Sequence, residues 1–226
     1  MPPKKKANPR GKYVIHSDHK SLPLEKAIMY YISFDPGEFN FDIRVEKRVS
    51  KEKNDYCSSI KTISQARYEI DYQRKKNGAG SNSRATLEVF EILNNYTKYF
   101  KKVDIVLIEG QMESNRPMMH IQHTLICYFL AQYPEITVIE ISSKLKGKCL
   151  GAPKDLTRHF LKKWSIEMGM KLAVARNDTK FINYIEEQTE GKKKSEIKID
   201  DDFDNYTQIE AFCVQAGYRL TKMEDD

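Results

Sequence analysis

Four acidic residues stand where their carboxylates could act on one shared ligand: Asp35, Glu109, Asp201 and Asp204. Asp35 follows an apolar run over 27–34 and precedes Pro36 and Gly37, a sharp turn signal. Glu109 closes a second apolar run over 103–108. Asp201 and Asp204 are three apart at or near the start of a helical segment, a spacing that can put both side chains on one helix face. Ligands of open α/β sheets gather beyond the carboxyl ends of the strands, so two strand-end acids and a helical pair could converge there. Uncompensated carboxylates repel, and hard divalent cations are the natural neutralising ligand. Oxygen-only ligation favours magnesium or manganese over zinc. Each acid also has a plainer reading. Asp before Pro-Gly forms turns, a Glu at a strand end is usually solvated, and the run from Asp200 to Asp204 complements a helix dipole.

Periodicity predicts the strands and helices that carry these residues. The run 27–34 is compact, aromatic and β-branched, as a buried strand is. Residues 40–46 alternate apolar and polar, as in a second strand hairpinned to the first, and 58–63 supplies a third. A helix is expected over 85–100, with Leu87, Phe90, Leu93 and Tyr96 at helical spacing. Then come a short buried strand over 103–108, a helix over 117–133 with Pro117 at its start, and a strand over 136–141. Helices over 155–173 and 179–187, a Lys-rich connection over 190–202, and a last helix over 203–216 stopped by Gly217 complete the chain. This order predicts an α/β sheet covered by helices.

The 226 residues suffice for one well-filled core and are too few for two ordinary enzyme domains. The expected division is a basic flexible arm over 1–26, one domain over 27–218 and a polar tail over 219–226. No run approaches the roughly 20 apolar residues of a membrane helix, and no apolar run follows the basic start, so an intracellular protein without a signal peptide is expected. Cys57, Cys127, Cys149 and Cys213 lack C-x-x-C pairing and read as reduced thiols. His120 and His123 have no third soft ligand nearby, which argues against zinc. The net charge of +6 leans mildly toward a polyanionic partner. Lys75 and Lys76 in a basic, glycine-containing loop, with Lys144, Lys146 and Lys148, are candidates to track phosphates; solvated surface is the alternative.

Three segments carry a family resemblance. An apolar strand followed by Asp35, Gly37 and Asn40 resembles the D-x-G-x-x-N motif of RuvC-like Holliday junction resolvases. Glu109 at the end of an apolar run, then Gln111 and a polar loop through Asn115, Arg116 and Pro117, resembles their second motif. Asp200 or Asp201 with Asp204 resembles their closing D-D-x-x-D segment, with Asp201 and Asp204 as preferred ligands and Asp200 the alternative. The resemblance runs in order over roughly 28–216 and is closest to the poxvirus-type resolvases of large DNA viruses. The stretch from Lys162 to Ile166 is similar to the family's K-K-x-A-V-like segment, which makes Lys163 the candidate catalytic cation and Lys162 the alternative. The chain departs from the pattern at Asn205, where a small residue is usual, and at Gly110, where Arg or Lys is common.

The resemblance implies an RNase H-like fold, a mixed central β-sheet flanked by α-helices. It further implies two Mg2+ ions held by Asp35, Glu109, Asp201 and Asp204, with Mn2+ able to substitute. The activity would be paired, symmetric nicking of four-way and other branched DNA, leaving 5′-phosphate and 3′-hydroxyl ends. Gln111, Asn115 and Arg116 would face DNA. A homodimer would match the two-fold junction, and Met118, Met119, Ile121, Leu125, Ile126 and Phe129 give the helix after Glu109 apolar surface for its interface; burial of that helix within the monomer is the equal alternative. Host cytoplasm, virion, mitochondrion and nucleus are all compatible locations. Two alternatives remain on the same fold: a non-catalytic branched-DNA-binding protein, and an RNase H-type nuclease for RNA–DNA hybrids.

Overall fold

The computed structural model describes residues 13–17, 26–37, 40–50, 59–70, 81–154, 156–191 and 199–216. Six strands form one sheet: β1 (Tyr13–Ile15), β2 (Ile28–Pro36), β3 (Phe41–Val49), β4 (Ser59–Tyr68), β5 (Ile105–Gly110) and β6 (Thr137–Ser142). Their order across the sheet is β1-β6-β5-β2-β3-β4. The central strands β2, β5 and β6 run parallel, while β3, β4 and β1 pair antiparallel with their neighbours. The helices are α1 (Ser81–Asn94), α2 (Thr97–Phe100), α3 (Arg116–Gln132), α4 (Leu145–Cys149), α5 (Arg158–Ala175), α6 (Thr179–Thr189) and α7 (Asp200–Gln215).

Strand side chains alternate between faces, so each strand feeds two cores. Ile32, Phe34, Val106, Ile108 and Val138 point to the side covered by α1 and α3. Met29, Tyr31, Ile105, Leu107, Ile139 and Ile141 point to the side covered by α4 to α7. By the same alternation Asp35 and Glu109 extend the second set. The apolar residues that make β2 and β5 strands therefore also aim their terminal acids at α7.

Four features differ from the expectations. Tyr13–Ile15, inside the segment read as an irregular arm, is an edge strand on β6, and the Tyr13 ring stands edge-on to Phe212 at 5.5 Å. Most of the remainder of the arm, the loop holding Lys75 and Lys76, most of the Lys-rich connection, Gly217 and the polar tail lie outside the described residues. The expected helix over 85–100 is two helices. Asn95 donates its amide to the Glu91 carbonyl and Thr97 its hydroxyl to the Asn94 carbonyl, local bonds that compete with helix continuation. The last helix begins at Asp200, three residues before the expected start, because acids in a first turn suit the helix dipole. Lastly, Ile121, Leu125, Ile126 and Phe129 of α3 are buried in this chain's own core, leaving only Met118 and Met119 half-buried among the residues expected to furnish an interface.

Candidate metal centre

The turn between β2 and β3 is tight where the first acid sits. The Gly37 amide donates to the Asp35 carbonyl at 2.9 Å, and a Cβ on Gly37 would collide with the Asn40 backbone carbonyl. Glycine is required there by that approach. Asp35 lies in register with Asp42 of β3, and Phe34 with Ile108 of the parallel strand β5. Asp35 and Glu109 thus end neighbouring strands on one face. The first turns of α7 cross above them, and α7 packs on β2 and β3.

One carboxylate oxygen from each of Asp35, Asp201 and Asp204 lies within 4.8 Å of the other two, and all three residues are half-buried. Glu109 joins them through a cation. Lys146 Nζ stands 3.0 Å from Glu109 Oε2 and 3.2 Å from Asp204 Oδ1. The Ser165 hydroxyl of α5 donates to the same Asp204 oxygen at 2.8 Å. Of the closing aspartates, Asp201 faces the cluster. Asp200 is ion-paired with Lys162. Asp202 turns inward, accepting from Arg67 Nη2 at 2.6 Å and from the Tyr184 hydroxyl at 3.0 Å.

Crowded, desolvated acids resist ionisation. Burial pushes the Asp35 carboxyl well above its ordinary range; the Glu109, Asp204 and Asp201 charges push the same way, and Lys146 opposes them. Asp201 is raised too, by burial and then by Asp200, against Arg67 and Lys162. Burial alone would lower the Lys146 ammonium, but Glu109, Asp204 and Asp35 outweigh it and hold it above the usual lysine value. One lysine among four carboxylates leaves the cluster short of positive charge. Three oxygen donors within mutual reach and no sulfur or imidazole among them suit a hard divalent cation. His120 serves elsewhere: its Nε2 lies 2.9 Å from the Thr86 hydroxyl and 3.0 Å from the Asn82 carbonyl.

The other expected residues are dispersed. Lys163 is exposed on α5 and the geometry does not bring it into the cluster; the cation found there is Lys146. The physical reason is the chain's return after β6: α4 packs on α7 and brings Lys146 to Glu109 at the end of β5, whereas Lys163 is exposed on α5. Lys146, expected to track phosphates from the surface, is instead buried. Lys144, Lys148 and Arg116 are exposed. Gln111 donates its side chain to the Glu109 carbonyl at 3.3 Å, and its backbone amide donates to Gln122 Oε1 at 2.7 Å. Asn115 caps the start of α3 by position, its amide 2.7 Å from the Met118 sulfur. At Gly110 a Cβ would stand 2.9 Å from Glu140 Oε1, the end of a partly exposed side chain that also meets His16 at 3.2 Å. Sequence reasoning passed over Asp42, Arg67 and Ser165, none of which stands in a run that singles it out, and gave Asp202 no role beyond its acidic run.

No family model matches the chain. "Uncharacterized protein 97L" of Invertebrate iridescent virus 3 is 30% identical over 95 residues, which span 42% of this chain and 46% of that protein, less than half the length of the relative. Among solved structures, RuvC from Thermus thermophilus is similar over 84% of this chain and 98% of its own, with a TM-score of 0.50 and 12% identity. The T. thermophilus RuvC structure in complex with a Holliday junction substrate is similar over 83% of this chain and 96% of its own, with a TM-score of 0.46 and 12% identity. At that identity the likeness is one of fold: a mixed six-stranded sheet with helices on both faces, the RNase H-like fold that RuvC also has.

Proposed function

We propose that this chain is a metal-dependent structure-selective endodeoxyribonuclease, a Holliday junction resolvase of the kind found in large DNA viruses. The observation that carries the reading is the meeting of Asp35, Asp201 and Asp204 within 4.8 Å, with Glu109 tied to Asp204 through Lys146. These are the acids that the resolvase motifs single out, drawn from three separate segments. The RNase H-like fold and a viral relative, itself uncharacterised, agree with the reading.

Asp35, Asp201 and Asp204, with Glu109 beside them, would hold two Mg2+ ions, and Mn2+ would substitute. Bound there, the metal supplies an activated water and charge neutralisation at the departing 3′-oxygen. The protein's own groups do the rest. Ser165 fixes the Asp204 carboxylate by donating to it. Lys146, fully protonated among acids, offsets negative charge accumulating on the scissile phosphate, the role that the family resemblance assigned to Lys163. Exposed Lys144, Lys148 and Arg116, together with Gln111, Asn115, Lys75 and Lys76, contact the arms of the branched DNA. Two copies of the chain act as a homodimer on the two exchanging strands. The protein acts inside the cell, in host cytoplasm or virion; no helix among the described residues is long and apolar enough to cross a membrane.

The test is cleavage of an end-labelled four-way junction by the full chain with Mg2+, beside linear duplex and an RNA–DNA hybrid. Paired nicks confined to the junction, lost in Asp35→Asn with junction binding retained, are expected. Binding without cleavage would make the chain a junction-binding protein, and preferential cutting of the hybrid would make it an RNase H-type enzyme.

A further inference from the structure

The helix that carries Asp201 and Asp204 is attached to the sheet by buried polar groups. Asp202, Asn205, Gln208 and Glu210 of α7 are buried and bond to side chains of β2, β3 and β4. Apolar contacts such as those of Phe203 and Tyr206 hold a helix down but are non-directional, so they set its rotation and axial position loosely. A metal site needs its ligands fixed to about 0.5 Å. Hydrogen bonds, being directional, can supply that constraint.

Asn205 is placed to do so. Its Oδ1 accepts from the Ser33 hydroxyl at 2.7 Å, and its Nδ2 donates to Asp42 Oδ1 at 3.0 Å. Ser33 lies two residues before Asp35 on the same face of β2. Asp42 is the residue directly opposite Asp35 in the β2–β3 ladder. One fully buried side chain, next in sequence to Asp204, therefore grips the strand that bears Asp35 on one side and its register partner on the other. One turn further along, Gln208 Nε2 donates to the same Ser33 hydroxyl at 3.0 Å. Asp42 is itself held by Gln65 Nε2 at 2.6 Å. Each amide heteroatom of Asn205 has one side-chain partner.

We propose that Asn205, acting through Ser33 and Asp42, is the positioning residue that sets the distance of Asp204 and Asp201 from Asp35 and thereby the affinity for the divalent cation. The proposal rests on the nuclease reading for the identity of the ligand. It also gives a physical reason for an asparagine where the resembling family has a small residue: here the polar side chain fills the space and ties helix to strand.

The test is calorimetric binding of Mn2+ to the full-length, DNA-free protein, with the thermal midpoint in EDTA measured for each variant. Asn205→Ala is expected to weaken Mn2+ binding by about ten- to a hundredfold, the usual cost of losing a group that orients metal ligands. Ser33→Ala, which removes a single hydroxyl, is expected to shift affinity in the same direction by less, and carries the test if Asn205→Ala does not fold. Asp42→Asn keeps the acceptor oxygen and is expected to retain binding close to that of the unmodified chain; a loss as large as that in Asn205→Ala would count against the proposal. Glu210→Gln breaks another buried tether of α7 and is expected to lower the midpoint without changing Mn2+ affinity. Unchanged affinity in Asn205→Ala or in a folded Ser33→Ala, or an equal loss in Glu210→Gln, overturns the proposal. An unmodified chain that binds Mn2+ but cuts no junction would sink the nuclease reading and leave the positioning role standing.

Discussion

Lys146 Nζ stands 3.2 Å from Asp204 Oδ1, and this contact places a buried ammonium inside a cluster that otherwise consists of carboxylates. The same nitrogen reaches Glu109 at 3.0 Å. In the metal-free protein Lys146 is thus the resident counter-ion of the site, and the acids depend on it. A divalent cation and Lys146 contribute the same kind of compensation, from opposite sources.

That relationship predicts how Lys146→Met behaves. Removing one partner of a buried ion pair costs about 3–5 kcal/mol because the remaining charge is left uncompensated; partial water access at this site puts the expectation toward the lower end. Urea unfolding in EDTA should show the loss. Adding Mg2+ should recover more stability in the variant than in the unmodified chain, since ligand binding to the folded state alone stabilises it. Equal recovery in both would mean that Lys146 does not neutralise the metal ligands. Junction cleavage at saturating Mg2+ should fall by roughly a hundredfold or more, as for loss of a group aimed at transition-state charge.

Asp35 makes the opposite prediction for metal-free stability. Its carboxyl is raised well above the ordinary range, first by burial and then by Glu109, so the folded state holds a proton that the unfolded chain has released. By linkage, stability falls as pH rises from the unfolded value near 3.9 through the higher folded value, and the loss is complete above it. Asp35→Asn removes the charge without changing the shape. In EDTA at neutral pH the variant should therefore be more stable than the unmodified chain, and the difference should shrink as pH falls. A variant less stable at neutral pH would show that Asp35 is not under electrostatic strain.

The outline of the fold could be read from the chain because buried runs leave a strong signal. Residues 27–34 and 103–108 are apolar enough to read as strands, and their terminal acids stood out once the motif resemblance was added to their position. Lys146 carries no such mark. In sequence it is one of three alternating lysines with Lys144 and Lys148, and only the packing of α4 on α7 buries one and exposes the others. The alternation in β3 revealed two faces but not that α7 covers the polar one, so Asp42, Arg44, Glu46 and Arg48 gave no hint of being buried. β1 has three residues and α4 five, too few for any period to show.

Gly169 offers a steric test of the helix pair that frames the site. A Cβ at this position of α5 would run into the ring of Phe203 on α7, the residue before Asp204. Phe203 is fully buried and stacked edge-on against Phe181, with centroids 5.2 Å apart, so its ring has no free direction to turn. Gly169→Ala gains up to about 1 kcal/mol of helix propensity and loses about 1–3 kcal/mol to overpacking. Net destabilisation is expected in thermal unfolding, with weakened Mn2+ binding because the start of α7 must shift. A variant that is stabilised and binds metal normally would show that the α5–α7 contact has slack.

Glu210 ties α7 to β3 through a pH-dependent ion pair. Burial alone would raise its carboxyl, yet Arg48 and Arg176 outweigh burial and hold it below the ordinary range. Arg48 Nη1 lies 2.5 Å and Arg176 Nη2 2.8 Å from its two oxygens. A depressed folded value means that the pair stabilises the protein above the unfolded pKa of about 4.3 and ceases to do so as pH falls through the folded value. Glu210→Gln leaves two buried guanidinium groups short of an anion, for a loss of about 3–5 kcal/mol at neutral pH. Measured by urea unfolding across pH 2–7, the gap between the variant and the unmodified chain should be widest near neutrality and narrow steadily below about pH 4. A gap that stays constant down to the lowest pH would mean that Glu210 acts through packing, and that its charge contributes nothing to holding α7 against β3.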